Sequence, residues 1–197
     1  AVRLNEYSRR AVELLDSTAL HNALDISQES AATRERYGLT APAAQPGDGA
    51  AAGAAGRDLR GQNLLLARRL VEAGVPFVNV NDFRQQGQNW DSHADNFGQN
   101  KKYLLPQADR ALAALIQDLD ERGLLASTLV VATGEFGRTP MSEKGDGRDH
   151  NPTGFTMWMA GGGVKGGHSH GNTDDFGYES VEQVVSMHDL HATMLHC

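Results

Sequence analysis

The sequence contains almost no cysteine, since Cys197, the last of its 197 residues, is the only one. An internal disulfide and a zinc site built from several thiolates are therefore both excluded. Any metal ion would have to be held by imidazoles and carboxylates, and the chain has 8 histidines and 25 acidic residues to supply them.

The chain also lacks an excess of positive charge and a long apolar run. Its formal net charge is −7, and its 18 lysines and arginines are scattered, which argues against binding to nucleic acid. No apolar run reaches about 18 residues, so no membrane span is expected. The N-terminal AVRLNEYSRR lacks the order of a signal peptide. With no initiating methionine and an end within a predicted helix, the chain is expected to be a fragment of a longer protein.

A stretch rich in alanine, glycine and proline, APAAQPGDGAAAGAAG, interrupts the sequence. It covers residues 41–56, shows no hydrophobic periodicity and predicts a linker. Residues 1–40 before it predict a helical N-terminal segment, because apolar residues between 3 and 24 recur at spacings of three and four. Residues 57–197 after it form the larger predicted domain.

Helical periodicity recurs in the larger domain. Residues 57–73 predict an amphipathic helix with Arg68 and Arg69 turned outward from its apolar face. Residues 97–122 carry the clearest helical stripe of the chain, and a capping box that begins at Ser186 starts a last helix.

Three short, apolar segments predict buried strands at residues 75–82, 127–134 and 153–163. Their order among the helices favours an α/β layered fold with an at least partly parallel sheet. Ligands of such sheets bind outside the carboxyl ends of the strands. The polar loops 83–96 and 134–152 each follow a predicted strand, so we expect them to meet at one sheet edge.

The segment NWDSHADN offers the first metal ligands, an oxygen from Asp91 and a nitrogen from His93. Zinc, manganese and iron accept such mixed sets. Asp149 and His150 in the second polar loop add another carboxylate and imidazole. A site of Asp91, His93 and His150, with Asp149 as a further ligand, would leave coordination positions open for catalysis. The alternative is that Asp91 caps the next helix and Asp149 pairs with Arg148 in solvent.

The segment GEFGRT directly follows the second predicted strand. Glu135 could act as a ligand or general base, and the planar guanidinium of Arg138 could hold a tetrahedral anion. The alternative is a turn in which Gly134 and Gly137 take positive φ and Arg138 simply pairs with Glu135.

Other polar residues point less clearly to chemistry. His168 and His170 lie among glycines, which favours an exposed loop over a metal site. The histidines of the last helix are typical of surface positions. No P-loop, G-x-S-x-G motif or nucleotide-binding glycine motif is present, and Ser92 has no positioned base.

Several motifs together resemble the DUF1501 family, which is placed among the alkaline-phosphatase-like and sulfatase-like enzymes. They are ARRLVEAGVPFVNV, WDSHADN, LVVATGEFGRTP, GRDHNP, AGGGVKGG, TDDFG and DLHATMLHC, from about residue 57 to the end. The resemblance implies a three-layer α/β/α sandwich with a mainly parallel sheet, incomplete in this chain. It also implies metal-dependent hydrolysis of small-molecule or polymeric phosphate or sulfate esters, with a zinc, manganese or calcium ion.

The resemblance also bears on particular residues. One superfamily metal is held by an aspartate, a nearby histidine and a later histidine before Asn-Pro, which Asp91, His93 and His150 match. A second metal uses an Asp-His pair after a strand, where this sequence instead has Glu135 and Phe136. The superfamily nucleophile comes from an earlier strand and helix, for which residues 1–56 show no match.

Full-length relatives in the family commonly carry a twin-arginine export signal. The resemblance therefore implies a protein of the periplasm or cell envelope. A different outcome within the same family is a non-catalytic binding or envelope-associated protein that keeps the fold with a degenerate metal site. The replacement of the superfamily histidine by Phe136 favours this alternative.

Overall fold

The computed structural model divides the chain into two compact units. The first comprises residues 1–82 and 107–118, and the second comprises residues 83–106 and 119–197. The structure describes residues 16–39, 54–82, 90–142 and 145–197, together with Glu6, Ser8, Arg9 and Glu13.

The first unit is built from helices. In chain order they are α1 (Thr18–Leu24), a 3₁₀ turn (Ile26–Gln28), α2 (Ala31–Arg36) and α3 (Ala54–Glu72). Ser17 and Ser30 start α1 and α2 by accepting hydrogen bonds from backbone N–H groups. The helix predicted over residues 3–24 is confirmed at its C-terminal end, where Ser17 begins a separate helix. Most of residues 1–15 lie outside the described residues.

Helix α3 confirms the helix predicted over residues 57–73, although it begins at Ala54, within the predicted linker. Residues 41–53 of that linker lie outside the described residues. The helix ends where Gly74 turns to a φ of +89°, a left-handed conformation that favours glycine.

Arg68 on α3 is buried, which corrects the prediction that it turns outward. Its side chain is 1% exposed and forms ion pairs with Glu29 at 2.6 Å, Glu72 at 2.5 Å and Asp118 at 2.8 Å. The Tyr37 hydroxyl donates to the same Asp118 carboxylate at 3.1 Å. The helical pattern could not reveal this, because two of the three carboxylates come from distant parts of the chain.

Arg69 is also largely buried instead of outward-facing. It forms an ion pair with Glu29 and donates to the carbonyl of Ala23 at 2.9 Å. Burial opposes ionisation of Glu29, but hydrogen bonds and charge from Arg68 and Arg69 outweigh it and lower its pKa below 4.5. The lowered pKa stabilises the fold above the pH at which the unfolded carboxyl titrates, and this stabilisation is lost as the pH falls through the folded-state pKa.

The long helix predicted over residues 97–122 is confirmed, with one irregular turn. Its parts are α4 (Asn96–Gln99), a π turn (Asn100–Leu104) and α5 (Leu105–Glu121). Pro106 accounts for the π turn, because its ring has no N–H and clashes with the carbonyl four residues before it. The predicted apolar stripe is buried at Ala111, Leu115 and Leu119.

The strands of the second unit are short. The pairs are β1 (Val130–Ala132) with β4 (Trp158–Ala160), β2 (Gly137–Arg138) with β3 (His150–Asn151), and β5 (Asn172–Thr173) with β6 (Ser180–Glu182). All three pairs are antiparallel. The predicted mixture of helix and strand is confirmed, but the described residues form no parallel pair and so no mainly parallel sheet.

Two of the three predicted strands are present in part. Residues 127–134 and 153–163 contain β1 and β4, which pair with each other and are only partly buried. The segment 75–82 forms no strand with any described residue. Pro76 removes a backbone donor there, and the Phe77 side chain is 72% exposed.

The last helix, α6 (Met187–His196), begins with the predicted capping box. The Ser186 hydroxyl accepts from the backbone of Asp189, whose carboxylate accepts from the Ser186 N–H at 2.8 Å. Among the described helices, none has the length and hydrophobicity needed to cross a membrane.

Replacing Arg68 with alanine is expected to lower the free energy of unfolding by about 3–5 kcal/mol, because Glu29 and Asp118 would be left buried without their shared cation. Urea unfolding followed by circular dichroism measures the change. Lys102→Ala, at an exposed position, is the control and should change stability by less than about 0.5 kcal/mol. A similarly small effect of Arg68→Ala would show that the ion pairs do not hold the first unit together.

Candidate metal centre

Two polar loops of the second unit are joined through their backbones. The N–H of Arg148 donates to the carbonyl of Ser92 at 3.0 Å. Gly147 lies at this junction, and a β-carbon at that position would overlap the carbonyl group of His93. The close approach of the loops therefore requires glycine at position 147.

The β2–β3 hairpin completes the framework by setting Arg138 opposite His150. The polar loops 83–96 and 134–152 do meet in their described residues, as predicted. The backbone hydrogen bond between Arg148 and Ser92 joins them, in place of the expected carboxyl ends of parallel strands. Residues 83–89 and 143–144 lie outside the described residues.

Asp91, His93 and His150 converge as the sequence predicted. The Nε2 of His150 lies 2.8 Å from Oδ1 of Asp91, and the Nε2 of His93 lies 3.1 Å from the same oxygen. The two Nε2 atoms are 3.2 Å apart. One carboxylate oxygen and two imidazole nitrogens therefore point to a common position.

The spacing and chemistry of these donors fit a small divalent cation. Tetrahedral zinc, with bonds of about 2.0–2.2 Å, separates its ligand atoms by about 3.3–3.6 Å. The donor separations of 2.8 to 3.2 Å are close to that range. Catalytic zinc sites use three protein ligands of this kind and keep a position open. All three side chains are about half-exposed, so the site is accessible from solvent.

Asp149 lies behind His93 and apart from the three converging donors. Its Oδ1 is 3.2 Å from the Nδ1 of His93, the ring nitrogen that faces away from the other ligands. A carboxylate in this position fixes the tautomer and orientation of a ligating imidazole. The structure thus places Asp149 against Nδ1 of His93 and not among the three converging donors, a distinction that spacing in the sequence does not make.

Arg138 contacts the cluster, whereas Glu135 forms no hydrogen bond or ion pair with its described residues. The Nη2 of Arg138 lies 2.7 Å from Oδ1 of Asp91, and the Nη1 of Arg138 donates to the carbonyl of Arg148 at 3.3 Å. Glu135 is exposed and makes no hydrogen bond or ion pair with another described residue. The alternative in which Arg138 pairs with Glu135 is therefore not formed.

Phe136 is a site residue that the sequence analysis treated only as a replacement. Its ring centroid lies 4.1 Å from that of His150, with the two planes tilted by 31°. The Arg138 guanidinium lies 5.7 Å from the same ring. An aromatic residue in the polar segment after a predicted strand, two positions before an arginine, was the signal that could have identified it.

The Asp91 carboxylate is held in its charged form. Its pKa is lowered to about 2, chiefly by the hydrogen bond from His150, and a hydrogen bond and charge from Arg138 contribute to this against the opposing effect of burial. Since a carboxylate ligand must be deprotonated, this oxygen is available to a cation at neutral pH.

The alternatives considered for these loops are not formed. Asp95, not Asp91, is the residue before helix α4. The Arg148 guanidinium donates to the carbonyl of Gly147 at 2.6 Å and lies 4.9 Å from the Phe97 ring, and it forms no ion pair with Asp149. The Ser92 hydroxyl is buried and hydrogen-bonds the side chain of Asn96, so it does not face the cluster.

His168 and His170 are not members of this cluster. His168 and His170 are exposed, as predicted, and their ring centroids are 6.3 Å apart. Among the described residues, the group of three histidine or acidic side chains close enough together to hold a metal ion consists of Asp91, His93 and His150.

Comparison with known proteins finds one family. A family described as a protein of unknown function (DUF1501) matches residues 3–197. The match begins well before residue 57, where the resemblance of the motifs starts. No curated protein and no solved structure matches the chain.

Replacing Gly147 with alanine is expected to separate the two loops, because the new methyl group would meet the His93 carbonyl. We expect a loss of about 1–3 kcal/mol in stability, typical of overpacking, and shifted imidazole NMR signals of His93 and His150. Gly166→Ala is the matched control, since a β-carbon there meets nothing within 4 Å. Unchanged imidazole signals in Gly147→Ala would contradict the dependence of the site on this junction.

Proposed function

The chain belongs to the DUF1501 family. We propose that it binds one divalent metal ion and takes part in the hydrolysis of phosphate or sulfate esters. The observation that carries the proposal is the convergence of Asp91, His93 and His150, in which the two imidazoles come from positions 57 residues apart. Their ligand atoms all lie within 4.8 Å of one another.

Each residue of the site has a role in this proposal. A bound zinc, manganese or calcium ion would supply a Lewis acid for an ester oxygen and would lower the pKa of water. Asp149 orients His93, and Phe136 packs against His150. The Arg138 guanidinium offers a planar fork to the negative charge of the ester group. Glu135, exposed just before β2, is proposed as a general base.

The proposal includes features that reach beyond the described residues. It takes the fold as an alkaline-phosphatase-like α/β/α sandwich, supported so far by the mixture of helix and strand. It assigns the nucleophile to a segment other than those described and places the protein in the periplasm or cell envelope. The substrate is a small-molecule or polymeric ester.

A second candidate is a non-catalytic binding or envelope-associated protein. Two contacts favour it. Arg138 already neutralises Asp91 through an ion pair of 2.7 Å. Phe136 occupies the place where the superfamily pattern has a histidine for a second metal, and its ring covers one side of His150.

Asp91→Ala and His150→Ala are each expected to abolish metal binding, because each removes one of three donors. Elemental analysis after dialysis against zinc should give about one ion per wild-type chain and none in either variant. Asp149→Asn should weaken zinc binding by about 10–100-fold, since the orientation of His93 is lost. His168→Ala is the control and should bind as the wild type does. Unchanged metal content in both alanine variants would rule out the site.

Hydrolysis needs a separate measurement, because a bound ion can be structural. The full-length protein, supplied with Zn²⁺, Mn²⁺ or Ca²⁺, is expected to turn over at least one aryl phosphate or aryl sulfate and to lose that activity in Asp91→Ala. Absence of turnover with every ester, from protein shown to contain metal, would favour the binding protein instead.

A further inference from the structure

One oxygen of Asp91 is shared by three donors. Oδ1 lies 2.7 Å from Nη2 of Arg138, 2.8 Å from Nε2 of His150 and 3.1 Å from Nε2 of His93. The two imidazoles could turn from this oxygen to a common cation, since a neutral ring nitrogen is also a ligand. A guanidinium has no lone pair to offer and is always charged. Arg138 therefore competes with a metal ion for the carboxylate.

We propose that Arg138 is the counter-ion that a divalent cation displaces from Asp91, and that its release couples cation binding to oxyanion binding. This inference rests on the proposed function, because it concerns the same three donors. It adds a regulatory property, namely that the site disfavours a cation alone and favours a cation together with an anion.

The surroundings of Arg138 keep its guanidinium beside the site after displacement. Its backbone is fixed in β2 opposite His150, and its Nη1 donates to the Arg148 carbonyl at 3.3 Å. The guanidinium also lies 5.7 Å from the centroid of the Phe136 ring. These contacts do not depend on Asp91, so a displaced Arg138 remains a positive charge next to the cation.

Two adjacent positive charges favour the binding of an anion between them. A tetrahedral oxyanion can give one oxygen to a cation and two to the planar fork of a guanidinium. Linkage then requires that such an anion raise the affinity for the cation by the same factor by which the cation raises the affinity for the anion. The substrate class of the proposed function, a phosphate or sulfate ester, carries this group.

Calorimetric titration of zinc into metal-free protein tests the competition. Arg138→Gln is expected to bind zinc about tenfold more tightly than the wild type, which corresponds to about 1.4 kcal/mol. Arg148→Gln is the matched control, because it removes the same charge from the same hairpin. The Arg148 guanidinium donates to the Gly147 carbonyl at 2.6 Å and is not paired with Asp91 in any described contact. Its zinc affinity should stay within about twofold of the wild type.

Repeating the titrations in sodium sulfate tests the coupling, with sodium chloride of equal ionic strength as the reference. Sulfate should tighten zinc binding several-fold in the wild type and leave Arg138→Gln unchanged. Equal zinc affinities of the wild type and Arg138→Gln, or an equal effect of sulfate on both, would overturn the inference and leave the metal site standing. Zinc binding by Arg138→Gln alone would support the inference and contradict the metal site of the wild type. Absence of binding by every variant would overturn both.

Discussion

The backbone hydrogen bond from the N–H of Arg148 to the carbonyl of Ser92 joins the two loops on which the site depends. Each side chain of the cluster lies within two residues of this bond or pairs across the adjoining β2–β3 hairpin. The contact is possible because Gly147 carries no side chain. The geometry of the cluster thus follows from main-chain contacts, which hold its three side chains near one another. Preorganisation of this kind limits the ordering that a ligand must induce.

The features of the fold that follow from local interactions could be predicted from the sequence. The helix over residues 97–122 and the capping box at Ser186 depend on residues within a few positions of each other. Strand pairing depends on a partner strand elsewhere in the chain, and the hydrophobic pattern of a segment does not identify that partner. The apolar run 75–82 therefore predicted a buried strand that the described residues do not form, and β1 pairs antiparallel to β4.

The sequence predicted which residues form the candidate site better than it predicted how their side chains are arranged. Asp91, His93 and His150 could be selected because each of the polar loops 83–96 and 134–152 carries a cluster of aspartate and histidine. Spacing could not separate Asp149, which contacts the back of His93, from a direct ligand. It equally could not show that Arg138 faces Asp91 while Glu135 faces solvent, since the direction of each side chain is set by the hairpin.

The burial of Arg68 couples residues of the first unit that are far apart in the sequence, so that their evolution is expected to be linked. Its guanidinium meets the carboxylates of Glu29 and Asp118, and Asp118 also accepts from the Tyr37 hydroxyl. Because groups in one such network interact non-additively, a substitution at one position changes which residues the other positions tolerate. These four sites are therefore expected to evolve in concert, so that an apolar replacement of Arg68 becomes acceptable only in lineages that have already neutralised its acidic partners.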